Sequence, residues 1–441
     1  MKHNILIASL LCAIGLNGYA QQDTSKNQTY NFSVADCVNY AYQHQHDVVN
    51  ANLDVTSAAY HVKEIIGQGY PQINASASFT DYIKSPVIVV SPTQSFKIYL
   101  PYNSSIGLGF TQIIFDPSYL VGLAGRRTYK QLYDRSYTRT KIEANVNVTK
   151  AYYQVLVSVE QLKLLEANIK ELKQQLDETA ARNKQGFVEQ IDVQRLTVQY
   201  NSLVTNRENT IRLLALNYEL LKFQMGMPIA DELTLKDKLE DINLDAPGAE
   251  AASDTSAYHN RIEYGLLETQ EKLNEYDLKL KKGQFLPKLT ANGSYSPAYM
   301  SNSFSSLYNA QYPTAFVGLN LTIPIFTGWQ HLNQYKESKI NVLKSENDLV
   351  NMKNTIDLQV EQSRISYING LQTLNDQKKN MALAEEVLRV TKIKYEQGVG
   401  SSIEVTQAET DVTQADNTYI QGLYDALVSK VDLDKAYGRI Q

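Results

Sequence analysis

The chain has 441 residues and a formal net charge of −5, so it carries no basic footprint for a nucleic-acid partner. Its two cysteines, Cys12 and Cys37, leave one after removal of a leader, so no intrachain disulfide is expected and stability must come from packing or assembly. No stretch of about 18 uninterrupted apolar residues follows the leader, which excludes a membrane helix but not a membrane β-barrel.

The first 20 residues read as a secretory signal peptide. Lys2 and His3 precede an apolar run from Ile5 to Ile14, and Gly18-Tyr19-Ala20 supplies small residues at the cleavage site. Cys12 follows Leu11, which is too bulky for a lipid-attachment motif, so cleavage is placed after Ala20.

A first repeat is read over residues 21–225. It opens with a helix at about 34–68, with Ser33 as its N-cap. Strands follow at about 72–82 and 102–115, then a very long helix at 118–184 and a shorter one at 191–225. Within the long helix Leu162, Leu165, Ile169, Leu172 and Leu176 step alternately by three and four, a coiled-coil seam. Residues 226–254, with Pro228, Pro247 and Gly248, break the pattern and read as a linker region.

Residues 255–441 then repeat the order: a helix at 255–284, strands at about 288–297 and 314–326, and helices at 329–395 and 403–437. The period is roughly 212 residues, and three landmarks carry it. Gly67-Gln68 with Pro71 returns as Gly283-Gln284 with Pro287. Ile114-Phe115 returns as Ile325-Phe326. Gln185-Gly186 before Ile191-Asp192-Val193 returns as Gln397-Gly398 before Ile403-Glu404-Val405.

The long helices are about 100 Å each at 1.5 Å per residue, more than a compact domain needs. Two stacked shorter helices can flank each one, giving a thin rod. The strands say where that rod sits. Segments 72–80, 102–115 and 289–335 contain no Asp, Glu, Lys or Arg, in a chain that is 20% charged. Val317, Leu319, Leu321 and Ile323 alternate with Gly318, Asn320 and Thr322, as Ile73, Ala75, Ala77 and Phe79 alternate with small polar residues. Uncharged segments of about 10 residues with one apolar face are the signature of membrane barrel strands. Tyr99, Tyr102, Tyr308 and Tyr312 would flank one rim, and Phe115, Phe326 and Trp329 the other. Four strands cannot close a barrel, so the chain is expected to share one: three copies would supply twelve. Segments 83–101 and 296–313 would be extracellular loops.

With this duplicated order, the sequence resembles the TolC family of outer-membrane efflux and secretion channels. The residues that carry the resemblance are the helix–Gly–Pro–strand junctions, the strand ends at Ile113–Asp116 and Pro324–Gly328, and the hairpins at Gly186 and Gly398. The resemblance covers nearly all of the mature chain. It implies a mainly α fold with a membrane β-barrel part. A trimeric 12-stranded barrel would continue into an α-helical coiled-coil barrel in the periplasm, and residues 226–254 would lie at its equator. It further implies a passive outer-membrane duct, coupled through a periplasmic adaptor (membrane fusion protein) to an inner-membrane transporter. A trimeric coiled-coil surface stalk or adhesin, or the periplasmic adaptor itself, are the alternatives that share the long helices.

No catalytic, cofactor or metal constellation is found, and no enzyme is expected. His44 and His46, two apart on a helix, face different directions, which does not suit a shared metal. The functional candidates are the helical hairpins. Gly186, Phe187 and Val188, and Gly398, Val399 and Gly400, form tips whose glycines permit the reversal. By resemblance these tips dock the adaptor, and Asp192, Tyr395, Glu404 and Gln407 form the gate and constriction. Gln407 stands where the family has a second acidic ring, and Gly400 where it has an arginine.

Overall fold

The computed structural model describes residues 29–97, 100–239, 242, 244 and 257–440. The leader at residues 1–20, Tyr99 and much of the 226–254 segment lie outside the described residues.

The first repeat runs β1 (Thr29–Phe32), α1 (Val34–His44), α2 (His46–Gly67), β2 (Gln72–Asp81), β3 (Val87–Ser91), β4 (Gln94–Lys97), β5 (Tyr102–Phe115), α3 (Pro117–Lys184) and α4 (Gln190–Met225). After β6 (Glu232–Leu235), the second repeat runs α5 (Ile262–Gly283), β7 (Lys288–Ser301), β8 (Tyr312–Thr322), α6 (Gln330–Glu396) and α7 (Ser402–Ala436).

Helix α3 has 68 residues and α6 has 67. Helices α2 and α4 pack along α3, and α5 and α7 along α6, while α3 also touches α5 and α7 across the repeat boundary. Helix α3 has a local reason to start where it does. Asp116 accepts from the backbone N–H groups of Ser118 (2.9 Å) and Tyr119 (3.3 Å) with Pro117 at the first helical position, which caps and preorganises α3.

The helix expected over 34–68 is two helices. Ser33 and Asp36 form a reciprocal capping box on α1, but Gln45 leaves the helical region (φ −65°, ψ 127°) and its side chain caps α2 through Val48 N–H at 2.8 Å. The physical reason lies across the molecule. Gly226 ends α4 in the left-handed region (φ 71°), and a Cβ there would come within 2.5 Å of the His44 carbonyl oxygen. The chain must kink where α4 ends against it. The helix expected from residue 255 likewise starts later, at Ile262. Its N-cap Arg261 is extended, and the buried guanidinium bonds the Ala436 carbonyl and Gln359, both at 3.1 Å, pinning the kink.

At this level β1 pairs with β6 in parallel, from Thr29↔Glu232 to Phe32↔Leu235, joining the start of the first repeat to its end. Cys37, Val38, Ala41, Tyr152, Leu221 and Met225 form the largest buried cluster beneath that pair.

The other sheet has the order β2-β5-β7-β8, antiparallel throughout, two strands from each repeat. Ile73, Phe110, Gly293 and Val317 are opposite one another, as are Ala75, Leu108, Tyr295 and Ala315. Directly opposed residues share a face. One face is therefore apolar, and the other carries Asn74, Gly109 and Ser294, with Phe316 as a large exception at mid-height and Ile113, Met300 and Tyr312 toward its ends. Gly293 leaves room for Phe110, whose ring would be 2.3 Å from a Cβ there. The apolar side is uncovered: Val317 is 80% exposed and Leu319 72%.

Strands β7 and β8 run longer at the loop end than expected, and β8 stops at Thr322, before Pro324. The two expected loops are structured. One holds the β3–β4 hairpin, and the other a 3-10 turn at Phe304–Asn309. That turn sets Phe304 edge-on to Phe79 and Tyr102, and Tyr308 to Tyr299, while Phe326 and Trp329 stack edge to face at the opposite end. Aromatic residues at both ends of an apolar strand face are the arrangement of a membrane barrel's two girdles.

Candidate functional site: the paired helical tips

The two reversals farthest from the sheet are built alike. Gly186 has φ 81° and Gly398 φ 78°. Phe187 N–H donates to the Arg182 carbonyl (3.1 Å) and Val399 N–H to the Lys394 carbonyl (3.0 Å), while Gly186 and Gly398 N–H bond the carbonyls of Asn183 and Tyr395. This is a Schellman closure, which satisfies the last helical carbonyls and demands a left-handed residue at its turn. Gly400 differs from the expectation drawn for it. Its φ is not positive, and what it provides is space, since a Cβ would come 3.1 Å from Tyr395 N. In the first hairpin Val188 occupies the matching place, and the Asn183 side chain closes the loop onto the Val188 carbonyl at 2.8 Å. Phe187 (77% exposed) and Val399 (76%) crown the tips, uncovered by the rest of the chain.

The structure brings some predicted residues together and separates others. Asp192 and Ser402 join the two hairpins, the serine hydroxyl donating to the carboxylate, and Arg195 lies 3.7 Å from the same oxygen. Tyr395 is near enough for Asp192 to influence it, but within the chain its hydroxyl is buried without a hydrogen-bond partner. Burial, with the Asp192 charge adding to it, raises the phenol above its ordinary pKa. Within one chain the Asp192 carboxylate takes its hydrogen bond from Ser402, at the start of α7, and not from Tyr395. Glu404 is solvent-exposed in the first turn of α7, where Ser401 caps its N–H at 3.3 Å and the helix dipole favours a carboxylate. Gln407, also exposed, donates to Asp411 at 2.8 Å.

Sequence reasoning missed Ser402, Asp411 and Glu409. Asp411 was findable, being one helical turn beyond Gln407. Ser402 had no signal. Glu409 sits next to the seam formed by Val405, Ala408 and Val412, and is 7% exposed. Burial pushes its carboxyl up to about 7, with Lys392 opposing at 3.6 Å.

Two coiled-coil hairpins of great length, joined to a shared sheet with one uncovered apolar face and aromatic ends, define a tunnel-and-barrel membrane channel. The sequence profile of the family described as outer membrane efflux protein matches residues 37–206 and 267–439, and the chain belongs to that family. Outer membrane protein TolC of Salmonella enteritidis is 23% identical over 344 residues, 77% of this chain and 70% of that protein. The alkaline protease secretion protein AprF of Pseudomonas aeruginosa is 22% identical over 353 residues, 78% of this chain and 72% of that one. The crystal structure of CusC, described as undergoing conformational changes on folding and channel formation, superposes with a TM-score of 0.75 at 17% identity, over 93% of both chains. The chain is an outer-membrane efflux or secretion channel whose helical part is a periplasmic tunnel. The stalk and adaptor readings do not account for the family match in both repeats or for the four-stranded sheet.

Proposed function

We propose that the chain works as a homotrimer, a passive duct without a catalytic step of its own. Periplasmic adaptor proteins at its tips connect it to an inner-membrane transporter. The observation that carries the trimer is the pair of free edges, β2 and β8, on a sheet whose apolar face is uncovered. Unpaired backbone groups are not tolerated in lipid, so β8 of one copy pairs with β2 of the next, and three copies make a closed twelve-stranded barrel. The apolar face meets outer-membrane lipid, and the face bearing Asn74, Ser294 and Asn320 lines the lumen. Below it, the hairpins of three copies close a helical barrel. Its entrance is ringed by Glu404 and held shut partly by Asp192 and Tyr395. Gly186, Phe187 and Val188 together with Gly398, Val399 and Gly400 present the adaptor surface. Native mass measurement of the detergent-extracted protein should give three chains, and planar bilayers should show discrete conductance steps. A lipid-inserted monomer, or a trimer without conductance, contradicts this reading.

A further inference from the structure

The two hairpins are each knit internally by apolar seams. Leu172, Leu196 and Leu203 lock α3 to α4, and Leu388, Val405, Ala408 and Val412 lock α6 to α7. Between the hairpins the character changes along the length. Toward the sheet, Val157 of α3 packs on Ile420, Leu423 and Leu427 of α7 in an apolar joint, backed by the Lys150–Asp432 ion pair at 2.5 Å. Toward the tips, the ties are polar: Asn168 to Asp416 at 2.6 Å, Lys392 to Glu171 at 2.7 Å, and Ser402 to Asp192. Two stiff hairpins with an apolar joint at one end and polar ties at the other can pivot apart at the tips. Water can take over the partners of a polar tie when the tips part, whereas an apolar contact has no such substitute.

Within this polar stretch lies a cavity of about 20 Å³, room for one water, where α3, α4, α6 and α7 meet. Glu409 of α7 lines it, and both its carboxylate oxygens are buried without a hydrogen bond. The charged groups facing it are Glu171 from α3 and Lys392 from α6; α4 contributes Gln199 and Leu203 to the cavity and no charge. Lys392 stands 3.6 Å away, within ion-pair range but beyond a hydrogen bond, and it is already engaged by Glu171. The Gln199 side-chain oxygen in the same cavity also lacks a donor. Three buried oxygens there, two of Glu409 and one of Gln199, lack donors, an imbalance of partners. A proton on Glu409 corrects the imbalance: it removes a buried charge and adds a donor.

We infer that Glu409 is a proton-operated latch between the two hairpins, which holds the tunnel entrance closed when protonated and releases it when ionised. The inference rests on the channel reading above. Its direction follows from linkage. In the closed packing burial raises the carboxyl to about 7, whereas in a parted, watered seam it returns toward its model value of 4.5. The closed state is thus favoured fully below that lower value, and the advantage is lost as pH rises through about 7. Asp416, one heptad further up α7, is also raised by burial and adds in the same direction.

The test is single-channel recording of the reconstituted full-length protein, without adaptor, between pH 5 and 8. Open probability should rise by at least about tenfold across this range. Glu409→Gln, a neutral isostere of the protonated acid, should stay in the low-pH state and lose most of that rise. Lys392→Met removes the one cation facing Glu409 and should move the midpoint to higher pH. A Glu409→Gln channel with the wild-type pH profile overturns the latch. If that variant does not assemble, an unmoved midpoint in Lys392→Met overturns it equally. Absence of any conductance in the wild-type protein refutes the channel reading instead.

Discussion

At the residue scale, the tips depend on two backbone positions and on one hydroxyl. Gly186 and Gly398 occupy the left-handed region, where a side chain costs about 1–2 kcal/mol and a β-branched one more. Gly186→Val and Gly398→Val should abolish export in an efflux assay while the assembled protein remains in the outer membrane, because the strain is local to the proposed docking surface. Normal export by both variants would reduce the tips to plain connectors. Ser402→Ala removes the donor to the Asp192 carboxylate, a bond to a charged group worth about 1.5–3 kcal/mol. It should raise the conductance of the resting channel, and an unchanged resting conductance would place the closure elsewhere. Glu404→Gln should weaken cation preference and divalent block, since in the proposed trimer three exposed carboxylates converge on one axis and favour cations. The exposed Asp411 beside Gln407 makes this loss partial: selectivity measured by reversal potential should fall without vanishing.

At the element scale, the four-stranded sheet has two faces that differ by one residue of register. Leu319 opposes Ala291, and Asn320 opposes Thr290 on the other side. Leu319→Arg should place a cation against hydrocarbon at a cost of about 2–4 kcal/mol, while Asn320→Arg meets the aqueous lumen. Heat-resistant trimer in outer-membrane fractions should fall for the first and persist for the second. Equal tolerance would mean that the faces are reversed or that the sheet is not in lipid. The paired strands were legible in the sequence because alternation with a period of two and the absence of charge are local properties. The kinks at Gln45 and Arg261 were not. Residues 34–68 are helical in composition throughout, and the break lies where Gly226, far away in the chain, lets the end of α4 approach the His44 carbonyl, while the Arg261 kink is held by Ala436 and Gln359.

At the scale of the whole molecule, a single chain leaves much apolar surface uncovered along α6. Ile340, Leu343, Val350 and Leu358 of α6 are between 49% and 67% exposed. Assembly into a helical barrel would bury that stripe, at about 1.5–3 kcal/mol for each large side chain removed from water. Leu358→Lys should therefore lower the trimer fraction in native mass spectra, with the monomer keeping its helical content by circular dichroism. A fully assembled Leu358→Lys protein would show that this face does not meet another copy.

The duplicated plan of helices and strands, the antiparallel hairpins with glycine reversals, and the uncharged strands were all readable from the order of residues. Each depends on neighbours within a few turns or on a repeat that can be laid beside itself. Tertiary structure alone decided which groups meet across the seam. The pairing of Asp192 with Ser402 joins residues on different hairpins, and so does the reach of Lys392, which faces Glu409 of its own hairpin, to Glu171 of the other. Such contacts depend on the axial offset of one hairpin against the other. Nothing in either hairpin's own periodicity specifies that offset; the apolar joint at Val157 and Leu427 and the shared sheet above it set the alignment. The burial of Glu409 follows from it, because a glutamate beside a coiled-coil seam faces solvent unless a second hairpin covers it.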